Sequence, residues 1–110
     1  MAISVTNSGT TSALSATPLT LATRTDGKTY VCQLDLNNLA VGDVAIFEVE
    51  VKVLAGSTAR VTDRVMWSNT LSGQPVFISV PYPAPYSIAF KLSQPTGTGR
   101  TVDYSILSID

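Results

Sequence analysis

The sequence predicts an all-β chain, an antiparallel β-sandwich of seven or eight strands, jelly-roll-like or immunoglobulin-like. Three observations predict it. Apolar and polar residues alternate with a period of two in segment after segment, turn signals recur about every 8–12 residues, and no segment carries a helical period long enough for a helix.

The alternation is clearest from Asp43 to Ser68, which reads as two long strands joined by Ala55-Gly56-Ser57. Pairing Val51 with Val61 brings Phe47 opposite Val65 and Ala45 opposite Trp67. The other face then sets Glu48 against Arg64 and Glu50 against Thr62. A slip of one residue would push every apolar side chain of the pair into water. Asp63 falls on the inner face opposite Val49, which a bulge near Asp63 would relieve, and Lys52 falls beside Arg60. Burying each large side chain is worth about 1.5–3 kcal/mol, against about 0.2–1 kcal/mol for an exposed Glu–Arg pair. Packing sets the register.

Turn chemistry divides the rest of the chain. Asp26-Gly27 between residues 18–25 and 28–36 is a two-residue hairpin signal; Thr25 opposite Lys28 would bring Leu21 against Cys32 and Leu19 against Leu34. Residues 37–43 form a compact crossover, a single helical or 3₁₀ turn closed by Gly42. Together with Leu36 it resembles the corner of fibronectin- and immunoglobulin-like domains. The tyrosine that usually follows is replaced by Ala45-Ile46-Phe47, which leaves the topology open. Val76, Ile78 and Val80 alternate after a loop at residues 69–74. Pro81-Tyr82-Pro83-Ala84-Pro85 is then a rigid corner carrying the chain from one sheet to the other. Tyr86, Ile88, Phe90 and Leu92 resume the alternation, and a loop with Gly97 and Gly99 leads to Val102, Tyr104 and Ile106. Leu92 opposite Val102 would set Phe90 against Tyr104. Residues 1–16 are Ser/Thr/Gly/Ala-rich and are expected to be a flexible or partner-ordered arm, with a short strand at Ile3 and Val5 at most; residues 17–110 form the single domain.

Composition removes several functions. Seven basic and eight acidic residues give a net charge of −1, without the clustered positive field that nucleic acid or an anionic membrane would need. Charged residues are 14% of the chain, against about 25% in ordinary soluble domains, so the surface is either Ser/Thr-rich or packed against neighbours. No membrane span is expected. Met1-Ala2-Ile3-Ser4-Val5 lacks the pattern of a secretory signal, so synthesis in a reducing cytoplasm is expected. The chain has one cysteine, Cys32, which reads as a small core residue.

Chemistry is equally restricted. Without histidine there is no Ser-His or Cys-His nucleophile and no imidazole metal site. Glu48 and Glu50, with Lys52 and Arg64 near, should both stay ionised, unlike a glycosidase pair. Asp26, Asp35 and Asp43 are too scattered for a calcium loop. Thr96-Gly97-Thr98-Gly99-Arg100 lacks the Lys-Ser/Thr and the helix of a phosphate loop and reads as a hairpin loop. Trp67, Tyr82 and Tyr86 could form a sugar-stacking platform, but Trp67 and Tyr86 have inward parity and core packing is favoured. No enzyme activity, catalytic residue, cofactor or metal is therefore expected.

Three stretches resemble a group of small β proteins encoded among the structural genes of tailed bacteriophages. They are Tyr30-Val31-Cys32-Gln33-Leu34-Asp35-Leu36 running into Leu39-Ala40-Val41-Gly42-Asp43, then Lys52-Val53-Leu54-Ala55-Gly56-Ser57-Thr58-Ala59-Arg60, and Thr96-Gly97-Thr98-Gly99-Arg100 with the closing strand. They cover much of residues 28–108 and exclude the arm. The resemblance implies a virion structural protein, specifically a capsid decoration (cement) protein on the capsid surface. Its partners would be the major capsid protein and itself, as a homotrimer, with no nucleic acid or membrane. A neck, tail or fibre component of the same virion and a carbohydrate-binding module are the alternatives.

Overall fold

The computed structural model describes residues 2–12, 17–69 and 73–109. Nine strands are present among them: β1 (Ile3–Ser12), β2 (Leu19–Arg24), β3 (Thr29–Asp35), β4 (Val44–Lys52), β5 (Arg60–Ser68), β6 (Val76–Ile78), β7 (Tyr82–Pro83), β8 (Ser87–Thr96) and β9 (Thr101–Ile109). They make two antiparallel sheets. One has the order β1-β9-β3-β6 with β7 also on β3, and the other has the order β2-β8-β4-β5. Inward residues of both sheets fill one core, led by Tyr30, Cys32 and Leu34 of β3, Phe47 and Val49 of β4, and Ile88, Phe90 and Leu92 of β8.

The pairings nest. β4 pairs with β5, β3 with β6 and β7, β2 with β8, and β1 with β9. The chain is thus one long ribbon doubled back at residues 53–59. Folding the ribbon over adds the pairs β3–β9 and β4–β8, which complete the two sheets.

The central hairpin keeps the expected register over most of its length. Ala45 faces Trp67, Phe47 faces Val65, Glu48 faces Arg64 and Val49 faces Asp63. A register shift follows Val49, as expected near Asp63, and it moves the far end by one residue. Glu50 therefore faces Val61 rather than Thr62, and Val51 faces Arg60 rather than Val61. Asp63 is stabilised in its inward position by the Tyr82 hydroxyl, which donates to it at 2.6 Å.

Two expected hairpins are corrected. β2 and β3 do not pair: Leu19 lies against Leu92 and Ala22 against Phe90, while Cys32 lies against Ile106 and Leu34 against Tyr104. Asp26-Gly27 is instead a corner between sheets, with Gly27 at a φ of 74° and Asp26 held by Arg24 at 2.9 Å and by the Tyr30 hydroxyl. Similarly, β8 and β9 lie in different sheets, so Phe90 faces Val49 and not Tyr104. Alternation sets which face of a strand is buried but does not choose the neighbouring strand; in β2 a register break lets Leu21 and Ala22 both be buried, while Leu19 is 42% exposed.

Other segments follow or extend expectation. The proline segment does carry the chain from β3's sheet to β8, with the Ala84 N–H on the Lys28 carbonyl at 3.1 Å. The crossover closes by two three-residue-step bonds, Leu39 N–H to Leu36 and Asp43 N–H to Ala40, with Gly42 at a φ of 92°. The arm differs most. Ile3–Ser12 is a ten-residue edge strand along β9 rather than a loose segment; residues 13–16 lie outside the described residues.

Candidate functional site

Residues singled out for chemistry are dispersed. Glu48 and Glu50 lie on the outer face of the four-stranded sheet, where Glu48 is flanked by Arg64 and Lys91 and Glu50 accepts from the Lys91 ammonium at 2.7 Å. This charge ladder neutralises itself. Trp67 packs edge-on against Phe77 with centroids 4.9 Å apart, and Tyr82 is 7% exposed. Tyr86, in contrast, is 40% exposed and precedes β8 at the end of the sheet where Ser87 faces Lys52, whereas Trp67 faces Ala45 at the other end. The three aromatics form no shared platform. Trp67→Ala should cost about 2–3 kcal/mol by urea unfolding, less than the about 3–5 kcal/mol for a fully buried aromatic because Trp67 is only partly buried.

Asp43 is the structural hub that the sequence does not announce. It is 1% exposed, and its carboxylate accepts from the Ala40 N–H at 2.8 Å, the Thr98 N–H at 3.0 Å and the Arg100 Nε–H at 2.8 Å. Gln94 braces the same loop, donating to the Thr98 carbonyl at 2.6 Å and accepting from the Arg100 N–H at 3.2 Å. Asn69, at a φ of 64°, closes the other side: its N–H donates to the Asp43 carbonyl and its side chain accepts from Gly42. The loop Thr96-Gly97-Thr98-Gly99-Arg100 therefore wraps a carboxylate belonging to its own chain. The signal for this was the pairing of a glycine-bearing loop and arginine with an aspartate directly after Gly42.

This hub makes stability acid-sensitive. The Ala40 N–H, and next the Arg100 guanidinium, hold the Asp43 carboxyl below its usual range against the opposing effect of burial. Asp26 is lowered to about 2, by the Tyr30 hydroxyl first and by Arg24 second. A depressed folded-state pKa stabilises the fold above the unfolded value of about 3.9, and the contribution is lost as pH falls through the folded value. The urea midpoint should accordingly drop as pH is lowered from about 4 towards 2. Asp43→Asn should lower the midpoint at neutral pH and flatten that acid limb, because an amide turns a donor towards donors.

Cys32 is fully buried and its thiol is pushed up to about 12 by burial. Among the described residues no group of three His, Cys, Asp or Glu could hold a metal ion, and no helix is long and apolar enough to cross a membrane.

What distinguishes the two sides of the molecule is charge. The five strands of one sheet carry only Asp35 and Asp103, which face each other across β3 and β9. The four strands of the other carry eight charged residues. On the outer face of the five-stranded sheet Val5, Leu107 and Val31 lie side by side, with Ile3 beside Ile109 in the next row. Ile3, Val5, Ile78 and Val80 are all more than half exposed. At the acidic end, a shallow depression of about 230 Å³ is lined by Gln33, Asp35, Val76 and Asp103 among others. One outer face is a wet charge ladder; the other is an aliphatic and hydroxyl surface. Comparison of the chain with protein-family models, with curated proteins and with solved structures found no match.

Proposed function

We propose that this chain is a non-enzymatic structural protein of a bacteriophage virion, a decoration protein that docks on the assembled head through the outer face of its five-stranded sheet. The single observation that carries the docking surface is the charge asymmetry of the two sheets. Burying the aliphatic face would cost no charge desolvation over most of its area, whereas burying the ladder would strip water from Glu48, Glu50, Lys52, Arg64 and Lys91. Binding only the assembled shell stabilises it by mass action and requires no chemistry.

The nested pairing and the two strand orders support reading the sandwich as a jelly roll, with β6 and β7 acting as one interrupted strand. That architecture serves viral capsid and lectin domains among others, which accords with a virion role. The resemblance of three stretches within residues 28–108 to phage structural proteins implies the partner, the major capsid protein. Quantitative mass spectrometry of purified virions tests the reading. Hundreds of copies per particle are expected; a few copies would assign the chain to the neck, tail or fibre, and none would overturn the reading.

A further inference from the structure

Each of the two sheets ends in two edge strands, and three of these edges are blocked. The β6/β7 edge consists of pieces of three and two residues around Pro81 and Pro83. β5 carries Arg60, Asp63, Arg64 and a bulge. β2 is six residues long, ends in Arg24 and breaks register between Thr20 and Ala22. β1 also breaks register, between Val5 and Asn7, but differs from all of them in length and charge. It runs ten residues with no charge and no proline, and among the described residues only β9 lies beside it. An open edge of this kind is a template for another strand.

We propose that β1 pairs antiparallel with β1 of a second copy of this chain, about a two-fold axis through Ser8. The register follows from the bulge that β1 already has. Ile3 and Val5 lie against Ile109 and Leu107, Asn7 lies against Ile106, and Thr6 is the extra residue. Ile3 and Val5 therefore share the outer face with Ser8, Thr10 and Ser12, while Ser4, Asn7, Gly9 and Thr11 face the other way. Directly opposed residues of an antiparallel pair must share a face.

An axis at Ser8 meets that requirement over the whole strand. Ser8 faces its own copy and Asn7 faces Gly9. With Thr6 omitted as in the β9 pairing, Val5 faces Thr10, Ser4 faces Thr11 and Ile3 faces Ser12. Moving the axis by one residue leaves an end of the strand without a partner. The Ser8 register opposes no two charges, joins the two five-stranded sheets into one, and sets Val5 beside a threonine methyl.

Area sets the strength. A strip about 30 Å long, at about 3.4 Å per residue, covers much less than the about 800 Å² per partner of a standard stable interface. The dimer is therefore weak, and forms at high protein concentration or where copies are crowded on a surface.

Two variants test it. Directly opposed Cβ atoms sit about 4.5–5.5 Å apart, near disulfide reach of about 3.5–4.5 Å, and Cys32 is buried and inert. Concentrated Ser8→Cys protein under mild oxidation should run as a covalent dimer on a non-reducing gel, while Thr23→Cys, exposed on β2, should stay monomeric. Sedimentation of the unmodified protein should rise with concentration, and Ser8→Lys should abolish that rise without lowering the melting temperature. Failure of Ser8→Cys to cross-link faster than Thr23→Cys, or an unchanged concentration dependence in Ser8→Lys, would overturn the proposal.

Discussion

Gly97→Ala is expected to destabilise the fold by about 2–6 kcal/mol, through two mechanisms that act at one atom. Gly97 has a φ of 104°, in the region where a side chain costs about 1–3 kcal/mol. A Cβ there would also lie 2.7 Å from the Asp43 Cα and closer still to its carboxylate. The Cα cannot step aside, because Asp43 is pinned by its bonds to Ala40, Thr98 and Arg100. Overpacking of this kind adds about 1–3 kcal/mol. Gly99→Ala is the natural comparison in the same loop. Urea unfolding followed by tryptophan fluorescence gives the difference, and an effect under about 1 kcal/mol for Gly97→Ala would contradict the clamp.

Phe47→Ala should cost about 3–5 kcal/mol, a large share of the about 5–15 kcal/mol that holds an ordinary domain together. Phe47 is fully buried. Its ring stacks with Phe90 at 6.2 Å and meets Phe77 edge-on at 5.4 Å, while Phe77 in turn supports Trp67. Removing it opens a cavity between the sheets that rings held at both ends cannot collapse to fill. Phe47→Leu should recover more than half of the loss. Equal losses for Leu and Ala would mean that ring geometry, and not volume, sustains the core.

These two positions show what sequence reveals and what it hides. The inward parity of Phe47, Val49, Val65 and Trp67 was legible because burial imposes a period of two, and the inward Asp63 marked the bulge. Neighbours in the sheet were not legible. Leu21, Leu34 and Leu92 are buried and would be buried equally whether β2 lay on β3 or on β8, and only the doubled-back ribbon distinguishes the two. Asp43 was hidden for a related reason: its partners Thr98 and Arg100 are 55 and 57 residues away. β1 was hidden by composition, since Ser, Thr and Gly signal loop, while its pairing is carried by backbone bonds to β9 and by the Thr10 hydroxyl on Asp103 at 2.6 Å.

β1 also changes how docking is tested. A truncation of residues 1–16 would strip the edge from β9 and confound stability with binding, so surface substitutions serve better. Ile78 and Met66 are both exposed, at 59% and 67%, but on opposite faces: Ile78 beside Gln33 on the five-stranded sheet, Met66 beside Ile46 on the charged one. Neither contributes to the core, so Ile78→Glu and Met66→Glu should melt within a few degrees of the parent. The decisive measurement is the occupancy of each variant on purified particles. Ile78→Glu should be lost from the particle while Met66→Glu is retained at the parental level; retention of Ile78→Glu, or loss of Met66→Glu instead, would contradict docking through the uncharged sheet.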